Sequence, residues 1–121
     1  MESENCARFF GGDASDFAPF LRAFGYCLTK YEIYAFGRGA KEAIRFGLDS
    51  TSRINRIVLL LPIFSIDSTK CADLEILQKR GIEIVAFLYE KDKACKRTNE
   101  LFSKYGIVYV VKNKSLFCGG L

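Results

Sequence analysis

The chain has no histidine among its 121 residues, and that single gap closes several routes at once. Imidazole is the usual base that titrates near neutrality and the commonest transition-metal ligand, so neither a Ser-His-Asp nor a Cys-His site can be assembled within this sequence. Zinc would have to be held by thiolates, yet Cys6, Cys27, Cys71, Cys95 and Cys118 are scattered with no C-x-x-C pair. No metal and no other cofactor is expected. The longest apolar run, Ile57 to Phe64, is interrupted by Pro62 and is far too short to cross a bilayer. The cysteine count is odd, and Met1-Glu2-Ser3-Glu4-Asn5 is acidic where a secretory leader would be basic and then apolar. Both features point to a reduced, cytoplasmic protein. Internal repeats, low-complexity tracts and long linkers are absent as well, so one domain over residues 1–121 is expected.

Half of the residues are hydrophobic, enough for one core without disulfide or metal staples in a chain of this length. The formal net charge of +4 permits an acidic partner without demanding one. Phe9, Phe10, Phe17, Phe20 and Phe24 stand in apolar periodic contexts and are not interleaved with Lys and Arg. They are therefore assigned to core, and neither nucleic acid nor membrane is expected as a partner.

The apolar blocks alternate between strand and helix patterns. Strands are expected at Cys6 to Phe10, Tyr31 to Phe36, Arg56 to Leu61, Ile82 to Tyr89 and Ile107 to Lys112. Helices are expected from Ser15 or Asp16 to Phe24, from Ala40 to Leu48, from Asp67 or Ser68 to Arg80 with Leu74, Ile76 and Leu77 inward, and from Lys93 to Tyr105. The fold class is α/β, a mostly parallel five-stranded sheet with βαβ crossovers. Sites in such folds lie beyond the carboxyl ends of the strands, here residues 11–15, 37–39, 62–67, 90–94 and 112–118. If the strands lie side by side in chain order, crossovers of one hand place every helix on one face. The other face would then be bare, predicting self-association or an altered strand order, and a second copy of the chain becomes a candidate partner.

The segment Tyr31-Glu32-Ile33-Tyr34-Ala35-Phe36-Gly37-Arg38-Gly39-Ala40-Lys41-Glu42-Ala43-Ile44 looks like a strand, sharp turn and helix of the nucleophile-elbow kind, with A-F-G-R-G in place of G-x-S-x-G. Taken with R-F-F-G-G at 8–12, R-I-V-L-L-L-P at 56–62 and F-L-Y-E-K-D-K at 87–93, the chain resembles the short pimeloyl-acyl-carrier-protein methyl ester esterases of biotin synthesis, which have the α/β-hydrolase fold. The resemblance runs from about Arg8 to Phe117, carried by the order and spacing of motifs that are individually weak. It implies that Gly37 occupies the nucleophile position with the serine absent, that Asp92 holds the position of the triad acid, and that the histidine position falls near Leu116. It also implies an oxyanion loop at Gly11-Gly12-Asp13. Ile63 to Gly81 has room for one helix where the family carries a lid, and the family's helix after the last strand is missing, so a minimal core with an exposed cleft is expected.

On chemical grounds Gly37 keeps the turn and discards the reaction, because glycine adopts the strained elbow conformation without a Cβ penalty. Arg38 cannot serve as a base, and Lys41 falls one turn into the helix at a solvated position. Asp92, between Lys91 and Lys93, is read either as a vestigial acid or as a cap of the following helix. Gly11, Gly12, Arg38 and Gly39 form a candidate oxyanion or anion site, set against the plainer reading of packing glycines. Lys93, Lys96 and Arg97, with Lys91, form a weak candidate docking patch for an acidic acyl carrier protein, set against a solvated helix start. The expectation is a catalytically degenerate hydrolase-like protein. The alternatives are an ester hydrolase of biotin synthesis acting through non-standard residues and an anion or carrier-protein binding module.

Overall fold

The computed structural model describes residues 8–11, 31–49, 53–63 and 68–112. The expected first helix, Gly12, Asp13 and the stretch around Leu116 lie outside the described residues. The elements are β1 (Arg8–Phe10), β2 (Glu32–Phe36), α1 (Gly39–Leu48), β3 (Arg56–Leu60), α2 (Ser68–Lys79), β4 (Glu83–Tyr89), α3 (Cys95–Ser103) and β5 (Ile107–Val111). The five strands form one sheet in the order β1-β2-β3-β4-β5, and every pairing is parallel. This is the α/β class expected from the alternation, with a sheet that is parallel throughout its described strands. Because the strand order never reverses, the described sheet has no topological switch point, the place where open α/β sheets usually open a ligand crevice.

The three described helices share one face. Ala40, Ala43 and Ile44 of α1, Leu74 and Leu77 of α2, and Leu101 and Phe102 of α3 form one core with Ile33, Ala35, Ile57, Leu59, Ile84 and Ala86 of the sheet. Each large aliphatic side chain buried there contributes about 1.5–3 kcal/mol. α1 approaches closely through small residues: a Cβ on Gly47 would stand 2.8 Å from Ile57 Cδ1. Its final carbonyl, on Leu48, accepts a hydrogen bond of 2.6 Å from Arg80 Nη1, so the end of α2 closes the end of α1. In α2 the inward assignment of Ile76 is corrected. Its side chain is 42% exposed, because two residues beyond Leu74 is roughly 200° around a helix, on the far side from the Leu74 and Leu77 face.

The second face corrects another expectation. Tyr34, Val58, Leu60, Val85, Phe87 and Val111 form a core of their own, with Tyr34, Val58, Val85 and Phe87 fully buried although no described helix packs there. Phe9 stacks on Tyr34 at 5.6 Å and Phe87 on Tyr109 at 4.9 Å. The face is not bare, so the premise of the self-association argument does not hold.

Candidate functional site

At the carboxyl ends of β1, β2 and β3 the chain makes three turns that lean on one another. Gly37, directly after β2, has φ 59°, a left-handed conformation that suits glycine. Its N–H donates to the Leu60 carbonyl at 2.9 Å, and its carbonyl accepts from Ala40 N–H at 3.2 Å and Ile63 N–H at 2.9 Å. A Cβ at Gly37 would meet only Ile63 Cδ1, at 3.8 Å. Gly37 thus makes a sharp strand-to-helix turn with open space beside it and no side chain to fill that space.

Gly11 and Gly39 have a different explanation. A Cβ on Gly39 would collide with the Phe10 carbonyl and stand 2.9 Å from Gly11 N, while one on Gly11 would collide with the Phe36 carbonyl. These two glycines let the exit of β1 pass the start of α1 backbone to backbone. Packing accounts for them without a ligand. Arg38 at the start of α1 is exposed and makes no ion pair among the described residues, and two of the turn's N–H groups, those of Gly37 and Ala40, already serve internal carbonyls.

Asp92 sits one loop away. It is exposed, its Oδ1 accepts from Ala94 N–H at 3.2 Å, and its backbone carbonyl accepts from Cys95 N–H at 3.0 Å. The carboxylate therefore closes the turn that leads into α3 but does not cap the helix, whose N-cap is Ala94 and receives no side-chain cap hydrogen bond. It also borders a cavity of about 20 Å³ together with Leu61, Pro62, Tyr89, Cys95 and Thr98, space for one water molecule. No residue of the Gly37–Gly39 turn lines that cavity. The exit of β3 stands between Gly37 and Asp92, facing Gly37 with Ile63 and the Asp92 cavity with Leu61 and Pro62.

That exit is strained in a way the sequence did not signal. Leu61 has φ 48° and is followed by Pro62, a combination that costs about 1–2 kcal/mol for a residue with a Cβ. The neighbouring Cys95 thiol is held above its ordinary value of 9.0, first by burial and then by the carboxylates of Asp92 and Glu90. A thiol so placed is less nucleophilic near neutrality than a free one. Lys91, Lys93, Lys96 and Arg97 surround this corner, all exposed and none in an ion pair among the described residues. No group of ligand-type side chains among the described residues could hold a metal ion, and no buried side-chain polar atom among them lacks a partner.

At the opposite end of the sheet lies a cluster that the reading of the sequence missed. Glu32, Arg56 and Glu83 open β2, β3 and β4 and fall in one register row. Arg56 Nη1 donates to Glu32 Oε2 at 2.7 Å and Arg56 Nε to Glu83 Oε1 at 2.6 Å, while Tyr34 Oη donates to Glu32 Oε1. Glu32 is only 5% exposed. The signal was present in the near repetition of E-I-Y-A-F at 32–36 as E-I-V-A-F at 83–87, flanking R-I-V-L-L in β3.

No helix among the described residues is long and apolar enough to cross a membrane. No protein-family model matches this sequence, and neither a curated protein nor a solved structure is detectably similar to it.

Proposed function

We propose that this chain is a catalytically degenerate α/β-hydrolase-like protein, similar in layout to the pimeloyl-carrier-protein methyl ester esterases, that does not run Ser-His-Asp ester hydrolysis. One observation carries the reading: the turn at Gly37 has the left-handed geometry and open space of a nucleophile position but no nucleophile, in a chain with no histidine to activate one. Asp92, at the acid position, is engaged in the turn before α3, and Gly37 does not line the cavity that Asp92 borders. The alternative of hydrolysis through non-standard residues finds little support, since the ionisation of the Cys95 thiol beside Asp92 is pushed upward by burial and by acidic neighbours. Cys71 and Cys95 are both free thiols, which suits a reducing cytoplasmic setting. The test is turnover of short acyl esters and of a methyl-ester-loaded carrier protein by the unmodified chain, with Gly37→Ser alongside. The expected result is no turnover by either, and turnover by the unmodified chain overturns the reading.

A second reading is favoured by the exposed cations at the β4–α3 corner, none of them in an ion pair among the described residues. Lys91, Lys93, Lys96 and Arg97 provide a surface suited to an acidic partner such as an acyl carrier protein. Charge reversal at Lys93, Lys96 and Arg97 is expected to abolish such binding, and binding that persists unchanged removes this role.

A further inference from the structure

The charged row at the amino end of the sheet, with Glu32 buried and Arg56 and Glu83 partly exposed, needs an explanation, because β2, β3 and β4 are otherwise apolar on both faces. Ile33, Ile57 and Ile84 face the helices in one row, as do Ala35, Leu59 and Ala86, while Tyr34, Val58 and Val85 face the other way, followed by Phe36, Leu60 and Phe87. In a sheet with one wet face, a slip of one residue would expose the core set of side chains, and hydrophobicity alone would fix the register. Here both faces are buried, and a slip exchanges one apolar residue for another. A slip by two residues keeps even the facing unchanged. Hydrophobic pattern therefore discriminates poorly among the parallel registers of these strands.

We infer that the Glu32–Arg56–Glu83 row is a register lock that selects one pairing of the three central strands and thereby positions the turns at their far ends. The guanidinium of Arg56 meets a carboxylate on each neighbouring strand through separate nitrogens, and a slip of one or two residues sets one or both carboxylates against Ile54, Asn55, Ile57 or Val58 instead, with Glu32 then buried without its cation. Because β2 and β4 carry the same E-I-x-A-F pattern, one cation on β3 sets both ladders. The consequence reaches the candidate site. A slip by two residues displaces Gly37 by roughly 6–7 Å along the exit of β3, since strands rise about 3.3 Å per residue. That displacement breaks the Gly37 N–H bond to Leu60 and the Ile63 N–H bond to Gly37. Glu32, Arg56 and Glu83 are thus positioning residues for a turn at the other end of their strands.

The experiment is amide hydrogen exchange followed by NMR on the full chain, comparing the unmodified protein with Glu83→Gln and Arg56→Met. Glu83→Gln removes one arm of the row, and β3–β4 amides are expected to lose protection by about tenfold or more while β2–β3 amides hold theirs. Arg56→Met is expected to lower protection in both ladders and to carry the loss to the amides of Gly37 and Ile63, with additional resonance sets from slipped pairings. A uniform fall across every protected amide in Glu83→Gln, or no fall at all, overturns the lock and leaves an ordinary surface-assisted ion pair. Should Arg56→Met not fold, Glu83→Gln decides alone, because the question is whether the loss stays in one ladder.

Discussion

At the amino end of the sheet Glu32, Arg56 and Glu83 stand in one row with their charges matched, whereas at the carboxyl end Lys91, Lys93, Lys96 and Arg97 stand exposed with none of theirs paired among the described residues. The amino end is built inward, around a carboxylate that is almost fully buried and fully bonded. The carboxyl end faces outward, with a glycine where a side chain could act, a leucine in a strained conformation and a cavity large enough for one water. In parallel α/β proteins the carboxyl end is where function is placed and the opposite end carries stability. The difference therefore teaches which charges belong to the fold and which are available to a partner.

The sharpest way to test that division is to remove one charge from each end. Arg56→Met strips the cation from a buried carboxylate. Breaking a buried pair costs about 3–5 kcal/mol, and the partial exposure of Arg56 places this case near the bottom of that range. Lys93→Glu, Lys96→Glu and Arg97→Glu at the other end are each expected to stay within about 0.5 kcal/mol. Urea unfolding checks both, as a shift of midpoint at constant slope. Equal effects at the two ends would erase the comparison.

A smaller effect breaks the division on purpose. Gly39 lies at the carboxyl end, yet its Cβ would strike backbone, which cannot move aside as a flexible side chain can. Gly39→Ala is expected to lose about 2–3 kcal/mol, the upper part of the usual overpacking range. Gly37→Ser should lose less, about 1–2 kcal/mol, because its side chain enters open space and only the left-handed backbone resists. Unfolding midpoints in the order unmodified chain, Gly37→Ser, Gly39→Ala would separate conformational strain from collision.

The same contrast explains what was legible in the sequence. Strand after strand could be placed because Ile57 to Leu60 and Ile84 to Leu88 are continuous apolar runs bounded by charges and turn residues. Ile76 was misplaced because apolarity was taken for burial, when position on the helix decides it. The second face was misjudged because counting helices says nothing of what else lies against a sheet. Glu32, Arg56 and Glu83 each look like an ordinary solvated strand start in isolation, and only the register aligns them. Leu61 carried no warning at all, since its strain arises from the bonds that tie Leu61 N–H to the Phe87 carbonyl and Ile63 N–H to Gly37.

The smallest expected effect lies in the Cys95 thiol, and it asks whether the carboxyl end has any nucleophile in reserve. With its ionisation pushed upward, first by burial and then by Asp92 and Glu90, the folded thiol holds its proton to higher pH than the same thiol in the unfolded chain. Iodoacetamide should therefore modify Cys95 more slowly near pH 8 than it modifies the denatured chain, as followed by peptide mass spectrometry. Asp92→Asn removes the larger of the two charge effects and should speed the reaction, but only in part, because burial remains. The sign for stability follows from the same linkage: the unfolded thiol ionises first, so this group leaves stability unchanged at neutral pH and lowers it as pH rises through the ordinary thiol value of 9.0. A folded-state rate equal to or above that of the denatured chain would reverse the assignment and reveal an activated cysteine at the corner where Asp92 stands.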